Sequence, residues 1–228
     1  MIPPITRRFT TAVTLVGGGP VQAGDLARAL AVAPGLVAAD QGADRLWALS
    51  RRPDLVVGDM DSISDLALWR ARDVELAHLP EQDTTDFEKC LYSTDAPFYT
   101  ALGFTGGRID HTLAVFHTLL VRAEKRVTVL GEADAMAFLA PGQVLSLPIE
   151  PGARVSLFPF AETTGLVSEG LEWPVDGLTL APGRQSGTSN RAVAATIRLA
   201  FDRPGCLLML ERRAFEALVA AMGRQAGR

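Results

Sequence analysis

Over the first 130 positions, apolar residues come in short unbroken runs separated by longer stretches with helical spacing. Ala12 to Val16, Leu36 to Ala39, Leu55 to Gly58, Val74 to Leu79, Phe98 to Leu102 and Val127 to Leu130 read as strands. Between them, Val21 to Ala33, Ala43 to Ser50, Asp65 to Ala71, Thr85 to Ser93 and Arg108 to Ala123 read as helices, the first stopped by Pro34-Gly35. A run such as Leu55-Val56-Val57, apolar at every position, is expected of a strand covered on both faces, and regular β-α alternation predicts a parallel sheet. Residues 1–131 are therefore expected to form an α/β domain with a mainly parallel sheet and helices on both faces.

From Glu132 onward the helical spacing disappears. Ala135 to Ala140, Val144 to Pro148, Arg154 to Phe160, Val193 to Leu199 and Cys206 to Leu210 are short β-like runs punctuated by Pro-Gly and Gly-Ala turn signals. Strands without intervening helices predict an all-β, sandwich- or barrel-like domain over residues 132–228, capped by a helix from Ala214 to Met222. Residues 161–190, rich in glycine and polar groups, fit either a long loop or irregular strands.

Composition narrows the partners. A chain of 228 residues, 48% of them apolar, can bury a core without disulfides or a structural metal. The formal net charge of -4 and pI of 5.4 give no basic field for nucleic acid. Cys90 and Cys206 lie far apart with no metal-ligand spacing, which suits a reducing cytoplasm. Arg7-Arg8-Phe9 precedes an apolar stretch of only five residues, containing Thr14 and running into Gly17, so it reads as the approach to a first strand and not as an export signal. No run approaches the roughly 18 apolar residues of a membrane span. The expectation is a cytoplasmic protein with neither nucleic acid nor membrane as partner.

Three segments that follow strands carry the chemistry. In Gly58-Asp59-Met60-Asp61-Ser62, carboxylates two apart on extended backbone point the same way, and their mutual repulsion suits a hard cation such as Mg²⁺. The same residues also fit a strand-to-helix turn in which Asp61 or Ser62 is an N-cap. In Gln82-Asp83-Thr84-Thr85-Asp86-Phe87-Glu88-Lys89, Asp86 and Lys89 share one helix face, fitting either a metal and phosphate site or an exposed ion pair behind an N-cap at Asp83 or Thr84. Lys89 is one of only two lysines in the chain, beside Lys125. Gly103-Phe104-Thr105-Gly106-Gly107-Arg108-Ile109-Asp110-His111 opens the longest helix, where glycines expose backbone N–H groups and Arg108 offers a planar fork for phosphate. His78, His111 and His117 show no metal-pair spacing and take structural roles.

In this order and spacing, the three segments resemble the thiamine pyrophosphokinase (thiamin diphosphokinase) family. Gly170-Leu171-Glu172-Trp173-Pro174 and Gly187-Thr188-Ser189-Asn190 are similar to that family's C-terminal pattern. The resemblance implies an α/β catalytic domain, a β domain for thiamine binding and dimerisation, and a homodimer with active sites between subunits. It implies transfer of pyrophosphate from ATP to the hydroxyl of thiamine, with AMP leaving. By the same likeness Asp59, Asp61 and Asp86 are the Mg²⁺ ligands and, with Lys89 and Arg108, the catalytic set. Asp40, Ser62, Gln82, Asp83, Thr85, Gly106 and Gly107 line the nucleotide, while Asp110, Trp173, Ser189 and Asn190 hold thiamine.

This chain departs from the family's usual A-D-G-G-A-N at Ala39-Asp40-Gln41-Gly42-Ala43-Asp44, where Gln41 restricts the backbone and Asp44 adds a charge. Met60 stands for a usual Phe and Val115 for a frequent Asn. Two other readings stay open on the residues: a pyrophosphokinase of a pterin alcohol, and a thiamine- or nucleotide-binding regulator without turnover.

Overall fold

Strand burial separates the two halves of the chain. The computed structural model describes residues 6–224 and divides the chain into two compact units, Met1–Thr118 and Leu119–Arg228. In the first unit, β2 (Val13–Val16), β3 (Gly35–Ala39), β4 (Leu55–Gly58) and β7 (Tyr99–Leu102) are buried at every position, while β5 (Glu75–His78) has one buried residue. That contrast follows from the strand order β7-β2-β3-β4-β5, which puts β5 at an edge. All four pairings are parallel. A short parallel pair, β1 (Arg7–Arg8) with β6 (Thr94–Asp95), completes the strands of this unit.

The connecting helices are α1 (Ala23–Val32), α2 (Gly42–Ala48), α3 (Leu66–Ala71) and α4 (Asp86–Ser93), and α5 (Ile109–Val121) follows β7. Within this unit α1 packs on β2 and β7, α2 on β2 and β3, and α4 on β3 and β4. Their starts are chemically marked. The Asp65 carboxylate accepts the Leu68 N–H at 2.9 Å, and the Thr85 hydroxyl oxygen accepts the Glu88 N–H at 3.3 Å. Thr14, the one polar residue of β2, is fully buried because its hydroxyl donates to the Ala33 carbonyl at 2.6 Å.

The named strands of the second unit pair antiparallel. One set of strands runs in the order β14 (Gly187–Arg191), β11 (Arg154–Pro159), β16 (Cys206–Glu211), β9 (Asp134–Phe138), β8 (Val127–Leu130). A second sheet runs β10 (Leu145–Pro148), β15 (Thr196–Phe201), β12 (Thr163–Glu169), β13 (Thr179–Leu180). Helix α6 (Phe215–Gly223) packs on β10 and β8. The fold is thus an α/β unit followed by a two-sheet β unit.

One expected boundary moves, and one open segment is resolved. The strand expected from Val193 begins instead at Thr196, because the Val193 N–H turns aside to the Gly170 carbonyl at 2.8 Å and its side chain stays 57% exposed. Residues 161–190 are strands as well as loop, with β12 bulged between Gly165 and Val167. A Cβ at Gly165 would sit 2.2 Å from the Val175 carbonyl oxygen, so only glycine lets the returning chain pass. Both cysteines are free and buried. Among the described residues no helix is long and apolar enough to cross a membrane.

Candidate active site

Because β7, β2, β3, β4 and β5 are parallel, their C-terminal ends open on one edge. The chain order reverses at β2, which lies between β3 and β7. In open α/β sheets, ligands bind at that edge beside such a reversal. Asp40 follows β3, Gly58 to Ser62 end and follow β4, and the loop from Leu79 to Thr85 leads from β5 into α4.

Ligand oxygens of Asp40, Asp59 and Asp61 lie within 4.8 Å of one another. Asp59 and Asp61 converge by a route other than strand alternation, since Met60 between them has φ 65, a left-handed bend. Asp40 is itself left-handed, with φ 42. Backbone in this region costs about 1–3 kcal/mol per residue and concentrates at functional sites. Gly58 allows the approach, because a Cβ there would stand 2.8 Å from the Asp40 Cβ. Asp40 is only 3% exposed, and its Oδ1 is buried without a hydrogen-bond partner. A buried, unpartnered carboxylate oxygen beside two further carboxylates could serve as the donor set of a hard cation.

Asp86 lies beside this trio, joined to it through Lys89. The Lys89 ammonium, 2% exposed, stands 3.4 Å from Asp86 and 3.9 Å from Asp59. Lys89 is thus a buried cation paired with Asp86 and with one member of the trio, Asp59. Burial raises the Asp86 pKa, opposed by Lys89, and burial followed by repulsion from Asp86 raises that of Asp40. Asp59 goes the other way: the Gln82 amide, donating to Oδ2 at 2.7 Å, holds its carboxyl below the ordinary value. Gln82 thus orients a carboxylate. Thr85 caps α4, the Asp83 N–H donates to Glu81, and the Ser62 hydroxyl donates to Asp61 at 2.8 Å.

Gly106 and Gly107 are left-handed, with φ 86 and 75, and lead to Arg108. Arg108 and Asp110 pair with each other at 2.6 Å with side chains 72% and 61% exposed, and this pairing raises the one pKa and lowers the other. Their strand, β7, is three positions from β4 in the sheet order, or about 14 Å at the usual strand spacing. They are not part of the carboxylate cluster. His78, His111 and His117 are all exposed and none belongs to the trio.

In the second unit the Asn190 amide, 2% exposed, grips the backbone of Trp173 from both sides, accepting its N–H at 3.2 Å and donating to its carbonyl at 2.6 Å. The indole is 53% exposed, so it is not core packing. Ser189 has φ 61, and its N–H donates to the Ser156 hydroxyl at 3.0 Å.

Sequence reasoning missed two anchors of the edge. Asp44 accepts the Ser64 hydroxyl at 2.7 Å and its N–H at 3.1 Å, so the charge at this departure from the family pattern fastens the loop after Asp61. Glu81 accepts the Tyr92 phenol at 2.7 Å. Neither pairing has a spacing that announces it. Gln41 carries no strain, lying in the right-handed region at φ -55.

Fold and site together define an α/β protein with a polyacidic ligand edge, followed in sequence by an antiparallel β unit. Residues 26–130 match the family model described as "Thiamin pyrophosphokinase, catalytic domain", and residues 144–206 match "Thiamin pyrophosphokinase, vitamin B1 binding domain". The chain belongs to the thiamin pyrophosphokinase family. It is 28% identical over 172 residues to thiamine pyrophosphokinase 1 of Oryza sativa subsp. japonica, covering 66% of this chain and 63% of the relative. It is 27% identical over 161 residues to thiamin pyrophosphokinase 1 of Caenorhabditis elegans, covering 64% of this chain and 65% of that one. The chain thus spans just under two thirds of the length of these relatives. Its fold is similar to the thiamin pyrophosphokinase of Geobacillus thermodenitrificans, with TM-score 0.72 and 24% identity over 88% of this chain and 96% of the other. It is also similar to that of Candida albicans, with TM-score 0.75 and 17% identity over 92% and 94%.

Proposed function

We propose that this chain transfers a pyrophosphoryl group from ATP to the hydroxyl of thiamine, giving thiamine diphosphate and AMP. One observation carries the reading: Asp40 keeps a buried, unpartnered oxygen within 4.8 Å of the ligand oxygens of Asp59 and Asp61. The donor set fits Mg²⁺, being all carboxylate oxygen and in excess of the single ammonium beside it. Asp40, Asp59 and Asp61 would hold the ion, with Asp86 adjacent. When bound, Mg²⁺ supplies charge neutralisation to phosphate oxygens.

The chain's own groups do the rest. Lys89 restrains Asp59 and Asp86 and offers its ammonium to a phosphate oxygen, and Gln82 keeps Asp59 ionised and aimed. Ser62, Asp83 and Thr85 belong to the nucleotide surface. The N–H groups of Gly106 and Gly107 and the fork of Arg108 suit phosphate, with Arg108 exchanging Asp110 for the nucleotide. Asp110, once released, accepts from the aminopyrimidine of thiamine. Trp173, with Ser189 and Asn190, presents an aromatic face to the thiazolium cation. Such a transfer needs little covalent chemistry from the protein; positioning and charge stabilisation suffice.

The working form is a cytoplasmic homodimer in which a second copy supplies the thiamine-binding residues, with 1–131 as catalytic and 132–228 as thiamine-binding and dimerisation domain. Ile109 and Leu113, one turn apart on α5 and 75% and 51% exposed, support a surface that a partner covers. The test is incubation with ATP, Mg²⁺ and thiamine, following AMP and thiamine diphosphate by chromatography, with a pterin alcohol in parallel. Stoichiometric AMP and thiamine diphosphate are expected. Product from the pterin alone, or tight thiamine binding without AMP, would replace this reading with one of its rivals.

A further inference from the structure

We propose that Glu81 and Tyr92 form a positioning clamp that sets the divalent-cation affinity of the acidic edge; this rests on the reading of that edge as a cation site. The Glu81 carboxylate collects four hydrogen bonds. Its Oε2 accepts the N–H groups of Asp83 at 2.9 Å and Thr84 at 3.1 Å, and its Oε1 accepts the hydroxyls of Thr84 and, at 2.7 Å, Tyr92. Three of these bonds shape the turn containing Gln82, whose amide orients Asp59. The fourth ties that turn to α4, the helix that carries Asp86 and Lys89 in its first turns.

Tyr92 is 6% exposed, so its hydroxyl is held by packing and not by solvent. Burial would raise the Glu81 pKa, but the hydrogen bonds from Thr84 and Tyr92 outweigh it and leave the carboxyl below its ordinary value. Burial and the bond to Glu81 push the Tyr92 phenol up to about 12. Donor and acceptor therefore keep their roles across the physiological range. The clamp couples two groups of side chains that arrive from different elements, Gln82 with Asp59 and Asp86 with Lys89. Tyr92 and Glu81 touch neither the ion nor a substrate in this scheme; they act through the residues they hold.

Tyr92→Phe keeps the ring and removes only the donor. Mn²⁺ titration of the full chain, read by the EPR signal of free ion, is expected to show affinity weakened about tenfold, the effect of losing one hydrogen bond to a charged group. Glu81→Gln is expected to weaken it at least as much, because it also disturbs the turn bonds from Asp83 and Thr84. Tyr99→Phe removes another buried hydroxyl, 3.3 Å from Thr94, and is expected to leave Mn²⁺ affinity at the wild-type value. Wild-type affinity in both Tyr92→Phe and Glu81→Gln, with only the unfolding midpoint lowered, would overturn the clamp alone. A wild-type chain that binds no Mn²⁺ would instead overturn the cation reading and the clamp with it.

Discussion

The acidic edge of the first unit and the Trp173 surface of the second are prepared in opposite ways. At the edge the prepared quantity is charge: Asp40, Asp59 and Asp61 crowd together, Asp40 keeps an oxygen unpartnered, and Lys89 reaches one of them, Asp59. At Trp173 the prepared quantity is orientation: Asn190 fixes the backbone while the ring stays 53% exposed and close to neutral in its demands. The first region holds uncompensated negative charge, which under the proposed function a cation would neutralise. The second is already satisfied and only displays a face. Changes of charge should therefore act on the first region through function, and loss of hydrogen bonds on the second through stability.

Asp61→Ala is the strongest test of that contrast. Removing one carboxylate from the trio is expected to lower turnover at least about 100-fold, the scale of losing a principal electrostatic group. The unfolding midpoint should not fall, because mutual repulsion is relieved and Asp61 is exposed. Mg²⁺ should raise the midpoint of the wild type and not of the variant. Turnover by stopped assay and midpoints by differential scanning fluorimetry read both. Loss of activity together with a lowered midpoint would make the edge a structural element and erase the distinction.

Asn190→Ala probes the other side. It deletes a buried amide that accepts the N–H groups of Trp173 and Arg191 and donates to the Trp173 carbonyl. The expected loss is about 2–3 kcal/mol in urea unfolding, since buried partners are left unsatisfied. Asn190→Asp keeps the acceptor oxygen and should fall between wild type and Asn190→Ala.

How much of this is readable in the sequence depends on how local the cause is. Leu55–Gly58 is legible to the residue because a central parallel strand must be apolar on both faces. The start of α4 is legible to within one or two residues: the sequence offers Asp83 or Thr84 as its cap, and the structure uses Thr85, whose partner Glu88 is three residues away. β12 and β14 are not legible, since glycine and polar residues mask their period and their partners, β15 and β11, are distant in sequence. The carboxylate after β3 is visible in the sequence, but its orphaned oxygen depends on how closely Gly58 approaches. The same holds for Asp44 with Ser64, 20 residues apart, and for Glu81 with Tyr92, 11 apart.

Acid titration sharpens the account of the edge. The folded-state pKa of Asp40 is raised from 3.8, so the folded chain binds that proton more tightly than the unfolded one. Its contribution to stability is present below 3.8 and is lost as pH rises through the folded value. Asp59, with a lowered value, contributes above 3.8 and loses that contribution as pH falls. Asp40→Asn removes the first dependence and leaves the second. In chelator-treated samples the variant should therefore be more stable than wild type near neutral pH, with the difference closing once Asp40 is protonated. Urea midpoints across this range check the sign; a variant less stable at neutral pH would mean that the Asp40 charge is compensated after all.

The smallest effect is expected at the exposed ring. Trp173→Ala should change unfolding stability by no more than about 0.5 kcal/mol, as for a surface position whose backbone is held by other groups. The KM for thiamine should rise a fewfold, matching the roughly 0.5–1 kcal/mol of a cation over an exposed aromatic face. Trp173→Phe keeps a weaker face and should lie between. The Arg191 guanidinium already stands 6.0 Å from the ring centroid, but it is anchored to Glu172 at 2.8 Å, so an arriving cation can take the closer position without dislodging it. An unchanged KM in both variants would mean that the ring is not used, and the second region would then be prepared for nothing beyond its own hydrogen bonds.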